Sequence, residues 1–285
     1  MDYEAEYNNR ARVPEHAALI QAWYEAAQRY RADRLTEAHA ELDVAYGPGE
    51  RQRLDLFWPD KPQPAGLAVF VHGGYWQTLS PDGFSHMARG ANGHGIAVAV
   101  PGYDLCPAVT VGDIVNQIRA CCRFLWQRFG KRLVVAGHSA GGHLAAAMVA
   151  TNWPALDATL PADLVPAGLA ISGVFELEPL THTSINGPLK LDDEEARAAS
   201  PMNWPVAPGR TLLAYVGGTE SREFLRQSRD VVARWAARGV HAECVEVAGA
   251  NHFTVLDPLA DPDSAMTQAL VALARAAEGD AAGAS

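Results

Sequence analysis

The feature that most limits how this chain can fold is a rhythm of short, nearly continuous apolar runs separated by stretches of helix length. The runs are GLAVFV (66–71), GIAVAVP (95–101), RLVVAG (132–137), AGLAIS (167–172), TLLAYVG (211–217) and AECVEVAG (242–249). Runs of this kind are what strands covered on both faces look like, and their alternation with helices predicts a parallel sheet joined by right-handed crossovers. Ahead of them, Leu54, Leu56 and Trp58 alternate with Arg53, Asp55 and Phe57, an imperfect period of two that predicts an outer antiparallel strand. The expected class is therefore α/β, a mostly parallel twisted sheet of about eight strands flanked by helices.

The segments between the runs carry helix signals. In TVGDIVNQIRACCRFLWQRFG, Ile114, Ile118, Cys121, Cys122 and Leu125 form one stripe that ends at Gly130, and SREFLRQSRDVVARWAARG repeats the spacing up to Gly239. Residues 14–42 have helix-forming composition and predict two helices within an N-terminal helical segment, 1–45, lying over the site. The Pro-rich and polar stretch 174–204 reads as a long excursion that shapes a site. The tail AAEGDAAGAS (276–285) has little with which to pack and is expected to be disordered. Without internal repeats, the 285 residues are expected to form one domain.

Composition narrows the partners. A net charge of −10 would repel a phosphate backbone or an anionic membrane surface, so nucleic acid and membrane are not expected partners. The acidic start MDYEAEYNNR is unlike a targeting segment, and the protein reads as cytoplasmic. Cys106, Cys121, Cys122 and Cys244 show neither a CxxC pair nor a partnering His spacing, which favours buried free thiols over zinc or disulfides. An exposed edge strand leaves room for a homodimer.

The strongest local signal is G-x-S-x-G, at Gly137–Gly141, placed directly after an apolar strand and before an Ala-rich helix. A nucleophile at such a strand-to-helix turn needs small neighbours. Ser139 is accordingly the candidate nucleophile, and a serine needs a base to take its proton and a carboxylate to orient that base. His252 follows the last predicted strand, where the chain order Ser, acid, His puts the base. His138 and His143 lie too near the turn to approach Ser139 from the opposite side and are left for packing or substrate contact. Glu220, four residues past Val216, is the candidate acid, with Glu223 as fallback. The run Asp192–Glu195 reads as a solvated face.

An acyl-transfer oxyanion needs preorganised N–H donors. In hydrolases with this turn, one comes from the residue after the nucleophile, here Ala140, and others from the loop after an earlier strand. HGGYW (72–76) lies on that loop, so Gly73, Gly74 and Tyr75 complete the expected oxyanion hole, with the rings of Tyr75 and Trp76 narrowing the pocket for a flat substrate. The alternative is that both rings are packing residues.

HGGYW, GHSAGGH, GGTESREFLRQS and NHF, with YNNRARVP and SGVFELEPL, resemble the kynurenine formamidase (arylformamidase) group of the α/β-hydrolase superfamily, from about residue 7 to about residue 260. The resemblance implies the α/β-hydrolase fold and hydrolysis of N-formyl-kynurenine to formate and kynurenine, without metal or organic cofactor. It also implies that Ser139 is nucleophile, His252 base and Glu220 orienting acid. One departure is that eukaryotic members carry Asp where this chain has Glu220. Tyr75, Trp76, His138 and the 174–204 loop are then the expected substrate contacts.

A carboxylesterase acting on aryl or short-chain acyl esters would use the same residues, and a hydrolase-fold binding protein that has lost catalysis is the reading from another class. A fluorophosphonate probe separates the last of these from the other two. It should label the wild type at Ser139 and spare Ser139→Ala; a wild type that stays unlabelled would favour the binding protein.

Overall fold

The computed structural model describes residues 1–282. Its strands are β1 (Ala40–Ala45), β2 (Arg53–Phe57), β3 (Leu67–Val71), β4 (Ala97–Pro101), β5 (Leu133–His138), β6 (Ala167–Ile171), β7 (Thr211–Gly217) and β8 (His241–Val247). They form one eight-stranded sheet in the order β1-β2-β4-β3-β5-β6-β7-β8. The β1–β2 and β2–β4 pairs are antiparallel, and every other pair is parallel.

Side chains alternate between two cores, as a pleated strand requires. On β3 and β5, Leu67, Val69, Val71 and Val135 face the helices Val111–Phe129, Ala140–Val149 and Arg222–Ala236, meeting Ile118, Leu144 and Trp235 in one cluster. Ala68, Phe70, Val134 and Ala136 face the other way, toward Met266 and Leu270 of the helix Ala265–Ala282 and Trp23 of the helix His16–Thr36. Both faces of the central strands are therefore dry, which is why their sequences are continuously apolar. β8 differs: it is an edge strand whose residues are half-buried or exposed.

The sheet has a strand that composition hides. Ala40–Ala45 falls in a stretch with helix-forming residues, yet it pairs with β2 as the outermost strand, so β2 lies one place inside the edge. Local propensity loses here to pairing: Asp43 takes a left-handed φ of 60° at a register shift, and its N–H donates to Asp55 Oδ1 at 3.0 Å. Between residues 14 and 39 there is one helix, His16–Thr36, rather than two, because no glycine or proline interrupts it. At the other end, the helix Ala265–Ala282 continues through 276–282, part of the stretch expected to be disordered. The rest of that expectation, 283–285, lies outside the described residues.

A further correction concerns Trp76. Its side chain is fully buried, and its ring meets His143 edge-on with centroids 5.0 Å apart, inside the core on the helix Ala140–Val149 side. It does not line the pocket over Ser139. The reason is the loop backbone: Tyr75 and Trp76 both take left-handed φ values, 50° and 57°, and Trp76 O accepts from Cys106 N at 2.8 Å, which turns the indole inward. Trp76→Ala should therefore behave as a core truncation. It should lower unfolding free energy by about 4 kcal/mol in a denaturant titration, with hydrolysis of aryl and alkyl substrates reduced together; a selective loss on aryl substrates would restore the pocket role.

Candidate active site

Ser139 stands between β5 and the helix Ala140–Val149 with φ 56° and ψ −117°, a conformation that non-glycine residues hold only under constraint. The constraint is close packing on both sides. A Cβ on Gly141 would sit 1.9 Å from Val71 O, and one on Gly137 would sit 2.2 Å from Gly141 O, so neither position of the motif tolerates a side chain. Ser139 is consequently held at the positive end of the helix, 3% exposed.

His252 lies after β8, in a turn that Asn251 organises by accepting from the N–H groups of Phe253 (2.9 Å) and Thr254 (3.0 Å). Its Nδ1 meets Glu220 Oε2 at 2.6 Å. That contact assigns the proton to Nδ1 and leaves Nε2 as the free acceptor. His252 and Ser139 line the same pocket. Among the described residues no hydrogen bond joins them; such contacts are commonly loose in unliganded hydrolases.

Glu220 sits just past β7 with no side-chain exposure. Its second oxygen accepts from Gly217 N at 2.7 Å and from the Ser172 hydroxyl. Ser172 was not singled out in the sequence. It directly follows β6 with a left-handed φ of 49°, and the signal was a polar residue closing the run AGLAIS at the same sheet edge as Ser139. Glu223 is occupied elsewhere: the Tyr7 hydroxyl donates to it at 2.9 Å, and Arg226 donates at 2.8 Å to each of its oxygens. Burial opposes its ionisation, but these donors outweigh burial and hold its carboxyl below the usual range.

The other histidines of the turn are each held by a backbone carbonyl. His138 donates from Nε2 to His252 O at 2.8 Å, and burial with the neighbouring imidazole pushes its pKa well below the ordinary value. It lines the pocket as a neutral ring. His143 is fully buried, bonded to Ala199 O at 2.7 Å, and burial lowers its pKa to about 4.

The glycine loop packs directly behind the serine: a Cβ on Gly73 would lie 3.0 Å from Ser139 Cβ. Gly74 takes φ 108°, where a side chain would also meet Thr78 O at 2.3 Å. Among the described residues the N–H groups of Gly74, Tyr75 and Ala140 have no hydrogen-bond partner, the last because the first amides of a helix have none within it. The loop is braced from below by Tyr103, stacked on His72 at 4.3 Å and donating to His72 O at 2.9 Å.

Over this floor lies a pocket of about 280 Å³. Tyr7, Trp23, Tyr75 and Phe253 supply its aromatic surface, and Ser184 and Ile185 are the residues of the 174–204 excursion that reach it. The N-terminal segment forms a wall through Glu4, Tyr7, Asn8, Asn9 and Arg10. That wall is pinned: Tyr75 Oη donates to Tyr7 O at 2.7 Å, and Gln227 Nε2 donates to Tyr7 Oη at 2.6 Å.

Comparison with known proteins places this arrangement among relatives. A family model described as alpha/beta hydrolase fold matches residues 68–256. The kynurenine formamidase of Salmo salar is 32% identical over 241 residues, 81% of this chain and 80% of that protein. The kynurenine formamidase of Danio rerio is 29% identical over 238 residues, with the same coverage of 81% and 80%. A crystal structure of a candidate thioesterase from Silicibacter sp. TM1040 superimposes with a TM-score of 0.84 at 36% identity, covering 95% of this chain and 99% of that one.

The hydroxyl of Ser172 is the one side-chain donor to the second oxygen of Glu220 among the described residues, so its removal should be felt at His252. Ser172→Ala is expected to lower kcat/KM about tenfold, the value of roughly one charge-assisted hydrogen bond, while the melting temperature stays within a few degrees. Unchanged kcat/KM across the pH profile would show that Gly217 N–H alone holds the carboxylate.

Proposed function

The chain belongs to the α/β-hydrolase superfamily and, within it, to the kynurenine formamidase group, and on that premise we propose that this hydrolase cleaves an aryl formamide, N-formyl-L-kynurenine, to L-kynurenine and formate. The observation that carries the reading is the aromatic wall of Tyr7, Trp23, Tyr75 and Phe253 over Ser139. A flat aryl leaving group gains face and edge contacts there, each worth on the order of 1 kcal/mol beyond buried area. A formyl carbon, in turn, asks for almost no acyl space between Ser139 and the glycine loop packed behind it.

In this mechanism His252 Nε2 takes the Ser139 proton as Oγ attacks the formyl carbon. The imidazolium that forms is stabilised through Nδ1–H by Glu220, which stays a carboxylate. The carbonyl oxygen becomes an oxyanion held by the free N–H groups of Gly74, Tyr75 and Ala140, donors that are already oriented before substrate arrives. His252 then returns the proton to the aniline nitrogen, which leaves as the C–N bond breaks, and a formyl ester remains on Ser139. Water, deprotonated by the same His252, attacks that ester; formate departs and Ser139 recovers its proton. His138, kept neutral by burial, adds no competing charge beside His252.

The same residues would cleave aryl or short-chain acyl esters, and the likeness to a candidate thioesterase keeps that second reading in view. Formate release from N-formyl-L-kynurenine at neutral pH, beside p-nitrophenyl acetate, separates the two. The expected result is turnover of the formamide with kcat/KM above about 10⁴ M⁻¹s⁻¹, the ordinary enzyme range, abolished in Ser139→Ala. Cleavage of the ester alone would replace the formamidase reading with the carboxylesterase one.

A further inference from the structure

His252 has to stand within reach of Ser139 without a hydrogen bond to it, so other contacts must fix the distance between the two. Its side chain is turned by Glu220, through the 2.6 Å contact at Nδ1. Its main chain is held at a second point, where His252 O accepts from His138 Nε2 at 2.8 Å. Among the described residues His252 makes no other hydrogen bond. The turn around it is organised within itself by Asn251 and is fastened to the body at its start, where Thr219 donates to Ala250 O from its N–H at 3.0 Å and from its hydroxyl at 2.8 Å.

His138 is the last residue of β5, and the next peptide unit leads into Ser139. Both residues are seated at the centre of the sheet: His138 pairs with Ile171 of β6, and Ser139 N–H donates to Ile171 O at 2.8 Å. The His138 ring is confined as well. The residue is 4% exposed, its ring centroid lies 4.7 Å from that of His252, and Trp23 meets it edge-on at 6.1 Å. Its proton is equally fixed, because a carbonyl oxygen only accepts, so Nε2 carries the hydrogen. Burial, and then the second imidazole, disfavour a further proton on the ring.

We infer that His138 is a positioning residue for the base: its Nε2–H holds the main chain of His252 at a set distance from Ser139, while Glu220 sets the rotation of the His252 imidazole. The inference rests on the reading of Ser139 as nucleophile and His252 as base. The donor stands one residue before the nucleophile, so a single hydrogen bond joins the strand that carries Ser139 to the turn that carries its base. Without that bond the imidazole would be held by Glu220 alone and would pivot about Oε2. Misplacing a reacting group by about 1 Å costs on the order of 10²-fold in rate. Proton transfer is the step affected, so the loss falls on kcat.

The test compares kcat for the wild type, His138→Phe and His138→Gln on N-formyl-L-kynurenine and on p-nitrophenyl acetate. Phenylalanine keeps the ring and its packing but has no donor, whereas the glutamine amide reaches the place of Nε2 and can donate to His252 O. His138→Phe should lower kcat about 10²-fold, and His138→Gln should recover at least tenfold of that loss. His138→Asn, whose amide falls short of that carbonyl, should match His138→Phe, which preserves the comparison if one variant does not fold. A pure packing role gives the opposite order, and kcat for His138→Phe equal to or above that for His138→Gln would overturn the inference while the hydrolase reading stood. A wild type that cleaved only the ester would remove the formamidase reading, and the same order of variants on the ester would still support the tie. If Ser139→Ala hydrolysed both substrates as fast as the wild type, the nucleophile assignment would fall and the inference with it.

Discussion

The arrangement around Ser139 depends on a carboxylate that has been taken out of water. Glu220 has no exposed side-chain surface, and a buried carboxylate is tolerable only where donors replace its hydration. Three are supplied, by Gly217 N–H, Ser172 Oγ–H and His252 Nδ1–H, and they come from three separate places in the chain: β7, the residue after β6, and the turn after β8. The sheet edge where these segments meet is thus tied together by one side chain. The longer reach of Glu, compared with Asp, is matched by having Ser172 and Gly217 behind it, so that Oε2 is left to point at His252.

The second constraint is steric. Ser139 keeps its left-handed backbone because Gly137 and Gly141 allow β5, β3 and the following helix to approach within contact of one another, and Gly73 brings the donor loop to the back of the same serine. The loop then turns through successive left-handed residues, which places Tyr75 over the pocket and Trp76 in the core. Tyr75 in turn anchors the N-terminal segment through Tyr7, and Tyr7 is anchored by Glu223 and Gln227. The wall of the pocket is therefore built from residues distant in sequence, each held by hydrogen bonds buried among aromatic rings.

Much of this is legible in the residues themselves. Central strands declare themselves because both faces are dry, and Ser139, Glu220 and His252 can be singled out because a strand-to-helix turn and chain order restrict them to a few positions. What is not legible follows from contacts that have no local signature. β1 is specified by its pairing with β2 and by the Asp43–Asp55 hydrogen bond, while its composition reads as helix. Trp76 sits beside Tyr75 in the same motif, yet the Tyr75 ring lines the pocket and the Trp76 ring is fully buried in the core. Ser172 is a small polar residue at a strand end, one of many, until the side chain of Glu220 is seen against it.

We propose that Glu220, through His252, makes Ser139 a nucleophile. The most direct measurement is kcat for Glu220→Gln on whichever formamide or ester the wild type cleaves best, with folding verified by circular dichroism. An amide at this position keeps the shape but neither fixes the imidazole tautomer nor stabilises the imidazolium, so kcat should fall by about 10⁴-fold, the effect of the equivalent change in a serine hydrolase triad. A kcat within tenfold of wild type would contradict the account and return the orienting role to another carboxylate.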